Sequence, residues 1–264
     1  MTTRVTILGC GSSGGVPRVA QGWGVCDPKN PLNRRRRCSI LVEQIGPEGV
    51  TRVLVDTSPD LRDQLLSADV DRIDAVMMTH PHADHTNGID DLRPLVIHMK
   101  RRLDIFLDEQ TSEMLRRAFG YIFETPEGSN YPPLLNEHRI RPGHGFTVEG
   151  AGGPLEVMPF RLDHGEIDAV GFRFNKIVYS PDFKAIYPES MTCLEGLDLW
   201  IIDGLRHTIH PTHISIPEAL AFAHQYRSKR TVLTNLSSEV DYEQLRSELP
   251  EGIEAAHDLM VLTI

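Results

Sequence analysis

Six consecutive residues, His-Pro-His-Ala-Asp-His, constrain this chain more than any other segment, and they follow the short apolar run Ala75–Met78. Four of the six side chains bind divalent metals when they are deprotonated, namely those of His80, His82, Asp84 and His85. A packed core has little use for three imidazoles beside a carboxylate, because each of these groups needs a buried partner. The alternative is a polar surface loop that is rich in histidine. We predict a metal site at this segment.

Length and composition bound the kind of protein. The chain has 264 residues, of which 40% are hydrophobic and 24% are charged, so it can bury a substantial core. The formal net charge of −10 argues against a broad basic surface for long nucleic acid. It is compatible with a small anionic substrate, because bound metal ions reverse the local field.

The stretch 125–144 is rich in Pro, Gly and Asn, and strand-like patterns continue on both sides of it. We therefore predict a single domain, 1–264, with a loop or lid insertion around 125–144. No segment has the apolar length of a membrane span, and the N-terminus lacks the apolar region of a signal peptide. The four cysteines show no CxxC spacing and are expected as reduced thiols, so a cytoplasmic location is the default expectation.

Apolar periodicity predicts many strands with helices between and after them, which favours a layered α/β fold. The predicted strands are 5–8, 40–44, 53–56, 75–79, 105–107, 155–160, 171–174, 177–180, 199–203, 231–234 and 259–263, and the predicted helices are 61–68, 109–119, 216–226 and 242–249. A Gly-x-Gly-x-x-Gly motif begins at Gly9, after the first strand. Gly15-Val16-Pro17 follows it instead of a helix, so we predict a tight loop near the active site rather than a dinucleotide site.

Two further candidates lie far downstream, each after a strand-like run. His164 stands in Asp-His-Gly and Asp182 in Ser-Pro-Asp, at strand ends from which both side chains can point into one cleft. The predicted ligand sets are His80, His82 and His164 for one metal and Asp84 and His85 for a second, with Asp182 bridging the two.

The order and spacing of these three motifs resemble those of the metallo-β-lactamase superfamily. Further segments resemble the branch that contains the phosphodiesterase associated with carbon–phosphorus lyase, which cleaves cyclic ribose phosphates; ribonuclease Z is a more distant relative. These segments are Gly11–Pro17, Asn33–Ser39, Asp90–Pro94, Phe119–Phe123 and His210–His213. The resemblance implies an αββα sandwich of two mixed β-sheets flanked by helices, with a dinuclear metal site at one edge.

His213 lies in a Thr-His context just before the helix that is predicted from Ile216. The resemblance implies that this histidine contacts the substrate phosphate and protonates the leaving oxygen, a role that suits a titrating imidazole. The alternative is a surface histidine near a helix start. We predict Asp84 and His213 as the catalytic residues, with Asp84 also serving as a metal ligand.

Together these features predict a metal-dependent phosphodiesterase that cleaves small cyclic or nucleotide-like phosphodiesters with a metal-bridged hydroxide. The mixed histidine and carboxylate ligands suit two zinc or manganese ions. Two alternatives stay open: a thioesterase or lactonase on the same dinuclear site, and a nucleotide-binding homologue with weakened catalysis. A homodimer is compatible with the resemblance, and neither a membrane nor long nucleic acid is an expected partner.

The chain departs from the superfamily pattern at Asn235, where the resemblance implies a histidine ligand of the second metal. An amide oxygen is a weaker ligand than imidazole, so we predict a weaker second site with Asn235 as a weak or water-mediated ligand. The related phosphodiesterase holds an extra structural zinc with three N-terminal cysteines. Here only Cys26 is present, and we expect no such zinc. The run Arg34–Arg37 is either a solvated loop or a surface for anions or a second subunit.

Overall fold

The computed structural model describes residues 2–264. Within that range the strands are β1 (Thr2–Gly9), β2 (Ser39–Gly46), β3 (Gly49–Val55), β4 (Ala75–Met77), β5 (Leu103–Leu107), β6 (Leu135–Arg139), β7 (Phe146–Val148), β8 (Leu155–His164), β9 (Ile167–Phe174), β10 (Ile177–Ser180), β11 (Ala185–Ile186), β12 (Leu199–Asp203), β13 (Thr231–Thr234), β14 (Ile253–Ala255) and β15 (Met260–Thr263). The α-helices are α1 (Leu61–Ser67), α2 (Ala83–Thr86), α3 (Arg93–Met99), α4 (Glu109–Phe119), α5 (Ile216–Tyr226) and α6 (Tyr242–Glu248).

The strands form two mixed sheets that pack face to face. One sheet has the order β15-β1-β2-β3-β4-β5-β6, and the other has the order β11-β8-β9-β10-β12-β13-β14, with β7 paired to β8. Apolar residues of α1, α3 and α4 pack on the outer face of the first sheet, and those of α5 and α6 pack on the second. This αββα sandwich confirms the predicted fold class.

Strand β3 shows how the sequence builds these layers. Val53 and Val55 pack in the core between the sheets, whereas Leu54 packs with the helices on the other face. Successive side chains of a strand point to opposite faces, so a strand covered on both faces needs apolar residues at every position. All three residues are fully buried.

Every predicted strand and helix is present, and most of the elements that sequence analysis missed are short or polar; α3, with seven mainly apolar residues, is the exception. Strand β11 has two residues and α2 has four, too few for a periodic signal. Strand β6 is polar, and it lies inside the stretch 125–144 that was predicted as a loop; 125–134 and 140–144 lack regular structure. The lid role of this stretch and the single-domain organisation stay predictions.

The run Arg34–Arg37 is largely engaged inside the chain. Arg35 is buried, so the solvated-loop interpretation is wrong for this residue. Arg36 pairs with Asp258 and Asp63, and Arg37 pairs with Asp60. The longest α-helices, α4 and α5, have 11 residues each, and no helix within residues 2–264 combines the length and apolarity that a membrane crossing requires.

Candidate metal centre

The predicted ligands converge at one edge of the sandwich. His80 follows β4, His164 ends β8, and Asp182 follows β10. Strands β10, β12 and β13 are parallel neighbours, so the residues after them meet at the same edge of the sheet. Strands β3 and β4 are also parallel and bring Asp56 and the loop from His80 together in the facing sheet.

Three imidazole nitrogens form the first group. His82 Nδ1 lies 3.0 Å from His80 Nε2 and 3.3 Å from His164 Nε2. Nitrogen ligands about 2.0–2.1 Å from a tetrahedral zinc lie about 3.3–3.4 Å from one another, so this spacing fits one ion. Burial lowers the pKa of His80 well below its usual value, and burial likewise lowers the pKa of His164. Neutral rings offer the lone pairs that a metal requires.

Hydrogen bonds on the far side of each ring determine which nitrogen is free. His164 Nδ1 donates to the carbonyl oxygen of Thr212 over 2.8 Å. The Thr79 hydroxyl donates to Asp56, so its oxygen accepts from His80 Nδ1 over 3.0 Å. In both histidines Nε2 is therefore the nitrogen left for a metal.

A second group consists of His80, His85 and Asp182, and it tests whether the residues suit a metal. His85 Nε2 lies 3.3 Å from Asp182 Oδ1 and 3.5 Å from Asp84 Oδ2. His85 Nε2 and Asp182 Oδ1 are buried, and neither has a partner in the described chain with hydrogen-bond geometry, their own 3.3 Å contact included. Buried polar atoms are rarely left unpaired, so these two atoms fit a bound cation. Asp182 Oδ2 lies 4.0 Å from His164 Nε2, which places the carboxylate between the two groups.

Asp56 supports this second group, and sequence analysis missed it. Its Oδ2 accepts from His85 Nδ1 over 2.7 Å, and its Oδ1 accepts from the backbone N–H of Thr79. Burial opposes a charge on His85, but Asp182, Asp56 and Asp84 outweigh it and raise the pKa of His85 well above its usual value in the absence of metal. Asp56 directly follows β3, so the strand-end signal that indicated Asp182 also applied here.

His213 lies beside the cluster and is paired with Asp203, a second residue that sequence analysis missed although it ends a predicted strand. His213 Nδ1 donates to Asp203 Oδ2 over 2.9 Å. Burial opposes the imidazolium, but Asp203 outweighs it and raises the pKa of His213 to about 9. His213 Nε2 has no partner within residues 2–264 and is not buried, so this nitrogen faces the cleft.

Asn235 lies in the same cleft but is engaged elsewhere. Its Nδ2 donates to Asp203 Oδ1 over 3.1 Å, and its Oδ1 lies 3.9 Å from the Cys38 thiol. The opposite amide orientation would place two oxygens against each other at Asp203, so this orientation is the favourable one. The structure thus brings all the predicted site residues to one edge of the sandwich, where His80 and His85 are buried and the other six line the cleft. Their metal and catalytic roles, including that of Asn235, stay predictions.

The family model described as "Beta-lactamase superfamily domain" matches residues 51–234. The chain belongs to this superfamily and has the metallo-β-lactamase fold. Among solved structures it is similar to a diphosphatase from the PhnP family, with 34% identity, a TM-score of 0.89, and coverage of 100% of this chain and 98% of that one.

Two curated relatives carry different names. An octanoyltransferase of Porphyromonas gingivalis is 34% identical over 97% of this chain and 50% of that protein. A ribonuclease Z of Bradyrhizobium sp. is 26% identical over 71% of this chain and 60% of that protein. The chain thus spans between half and three fifths of the length of these relatives.

Proposed function

We propose that this protein hydrolyses phosphodiester or diphosphate bonds in small, nucleotide-like substrates. The observation that carries the proposal is the pairing of a His/Asp cluster that suits metals with His213, whose free Nε2 faces the same cleft. The similarity over the full chain to a PhnP-family diphosphatase supports the same reaction class. The closely spaced imidazoles of the first group favour zinc, and manganese is the second choice.

The cluster and its supporting residues have distinct tasks in this reaction. When bound, divalent ions supply an activated water nucleophile at neutral pH and stabilise charge on the phosphoryl oxygens. Asp182 lies between the two groups and would contribute a ligand to each, while Asp84 would contribute a further ligand to the second group. Asp203 keeps the proton of His213 on Nδ1 and stabilises the imidazolium, so that Nε2–H can protonate the departing oxygen.

The cleft is small and polar, which bears on the substrate. Its volume is about 270 Å³, suited to a compact phosphate ester rather than a long polymer. Leu205 is the only large apolar side chain among the described residues that line it. An octanoyl chain loses conformational entropy when it binds, and burial in an apolar channel is needed to offset that loss. This polar cleft therefore argues against the acyl chemistry named for the longer relative.

The test is a substrate panel with protein loaded with zinc or manganese. We expect turnover of bis-p-nitrophenyl phosphate and of 2′,3′-cyclic nucleotides or a dinucleoside diphosphate, with loss of activity after chelation and recovery on adding metal back. Octanoyl and glutathione thioesters and a lactone series are the competing substrates. Turnover of those alone would establish a thioesterase or lactonase. Tight nucleotide binding without turnover under either metal would establish a binding protein.

A further inference from the structure

Arg18 lies on the wall of the metal cleft, in the loop between β1 and β2. It lines the cleft together with His82, Asp84 and Asp182, and Arg206 also contributes to the lining. The two arginines differ in one respect. Arg206 forms an ion pair with Glu239 over 2.8 Å, whereas the guanidinium of Arg18 has no ion pair or side-chain hydrogen bond to any residue from 2 to 264.

The positive charge of Arg18 is not balanced by the other charges in the cleft. Bound metal ions would neutralise the negative charges of Asp84 and Asp182, and Arg206 neutralises that of Glu239. Burial lowers the pKa of His210, which also lines the cleft, so His210 adds no fixed charge at neutral pH. Arg18 is thus a permanent cation that no carboxylate of the described chain neutralises, in a protein with a net charge of −10.

The loop holds the backbone of Arg18 in place before any ligand arrives. The backbone N–H of Arg18 donates to Gly22 O over 2.8 Å, and Gly22 N–H donates to Arg18 O over the same distance. The side chain lies over Gly14, where an added Cβ would sit 2.3 Å from Arg18 Nε. Only glycine leaves room for this arrangement. Val16 exchanges two backbone hydrogen bonds with the buried Arg35, which anchors the loop.

We propose that Arg18 forms a second anion-binding position and binds a second phosphate group of the substrate, apart from the phosphate at the metal cluster. A planar guanidinium donates two parallel hydrogen bonds to phosphate, and a backbone that is already fixed reduces the entropy lost on binding. The inference deepens the proposed function and rests on it. Substrates with two phosphates, such as nucleoside diphosphates or bisphosphates, are therefore preferred over those with one.

Calorimetry on the metal-loaded protein tests this without requiring turnover. The probes are AMP against α,β-methylene-ADP, and AMP against adenosine 3′,5′-bisphosphate, so that the second phosphate is offered at two separations. We expect wild type to bind at least one bisphosphate about 10- to 100-fold more tightly than AMP, and Arg18→Met to abolish that ratio. Arg18→Lys should restore part of it, because charge returns without the bidentate geometry.

Arg34→Met is the matched control, because Arg34 is an exposed arginine of the neighbouring segment that does not line the metal cleft. It should keep the wild-type ratio. The inference is overturned if wild type prefers neither bisphosphate, or if Arg18→Met keeps the preference. Failure of the proposed function is a separate result, the absence of phosphodiester and diphosphate hydrolysis in the substrate panel.

Discussion

Asp203 and His213 form a hydrogen-bonded pair at the edge of the metal cleft, with His213 Nδ1 2.9 Å from Asp203 Oδ2. Asp203 is fully buried, and Asn235 donates to its other oxygen. The backbone N–H of Phe183 also donates to Oδ2, over 3.3 Å. With these donors in place, the carboxylate determines the orientation of the imidazole and which of its nitrogens carries the proton.

Replacing Asp203 with Asn should therefore impair catalysis more than binding. The amide keeps the shape of the side chain but no longer stabilises the imidazolium of His213. We expect kcat for bis-p-nitrophenyl phosphate to fall about 100-fold or more. Metal content measured by mass spectrometry should match wild type, since Asp203 belongs to neither ligand group. A kcat within about twofold of wild type would remove the pair from the mechanism.

Asn235→His tests the weaker second metal site. In wild type the amide donates to Asp203, and its oxygen faces Cys38. We expect a second equivalent of zinc to bind wild type more weakly than the first, and the imidazole at position 235 to tighten it about 10- to 100-fold. Equilibrium dialysis with metal analysis measures both steps. Asn235→Ala is the control and should leave the first equivalent unchanged; identical stoichiometry and affinities in all three proteins would contradict the prediction.

Arg35 ties the N-terminal loop to the loop after β13. Its Nη1 donates to the carbonyl oxygens of Ser237 and Val240, over 3.0 and 2.8 Å. Arg35→Met removes both donors, which leaves Ser237 O with only the Val240 N–H over 3.3 Å and Val240 O with only the Cys26 thiol over 3.2 Å. We expect a loss of about 3 kcal/mol in the free energy of unfolding, or about 6–12 °C in Tm by calorimetry. Arg34→Met should change Tm by less than about 2 °C, because Arg34 is exposed and only stacks on Trp23.

Glu43 predicts an acid-dependent loss of stability. It lies directly opposite Arg4 on β1 and Arg52 on β3, and its carboxylate accepts from both over 2.6 and 3.0 Å. Burial alone would raise the pKa of Glu43, but the two arginines outweigh it and lower the pKa below the usual value. The stabilisation is therefore complete above the unfolded-state pKa of about 4.3 and is lost as the pH falls through the lower folded-state pKa.

Glu43→Gln isolates this contribution. We expect the variant to be about 2 kcal/mol less stable than wild type at pH 7 in urea unfolding, with the difference shrinking below about pH 4. Asp71→Asn is the control, because that exposed carboxylate pairs with Arg52 at the surface. A difference between Glu43→Gln and wild type that is constant from pH 7 to pH 3 would show that lost packing, and not charge, causes it.

Sequence analysis found the residues whose position along the chain carries the signal. His80, His82, Asp84 and His85 are close in sequence, and His164 lies at the end of an apolar run that predicts a strand. It missed Asp56 and Asp203, although both end predicted strands. Carboxylates are common at the ends of strands. A carboxylate that orients a site histidine can be told from one at the surface only by its contact with that histidine.

Periodicity and residue type predicted the layers of the fold and the chemistry of the ligands, because both are local properties of the chain. Tertiary structure alone decided which nitrogen of each histidine is free, that Asn235 donates to Asp203, and that Arg18 is unpaired beside the cleft. These relationships join residues from different strands and loops. They depend on strand register and on which side chains face each other across the two sheets, and no local pattern encodes either.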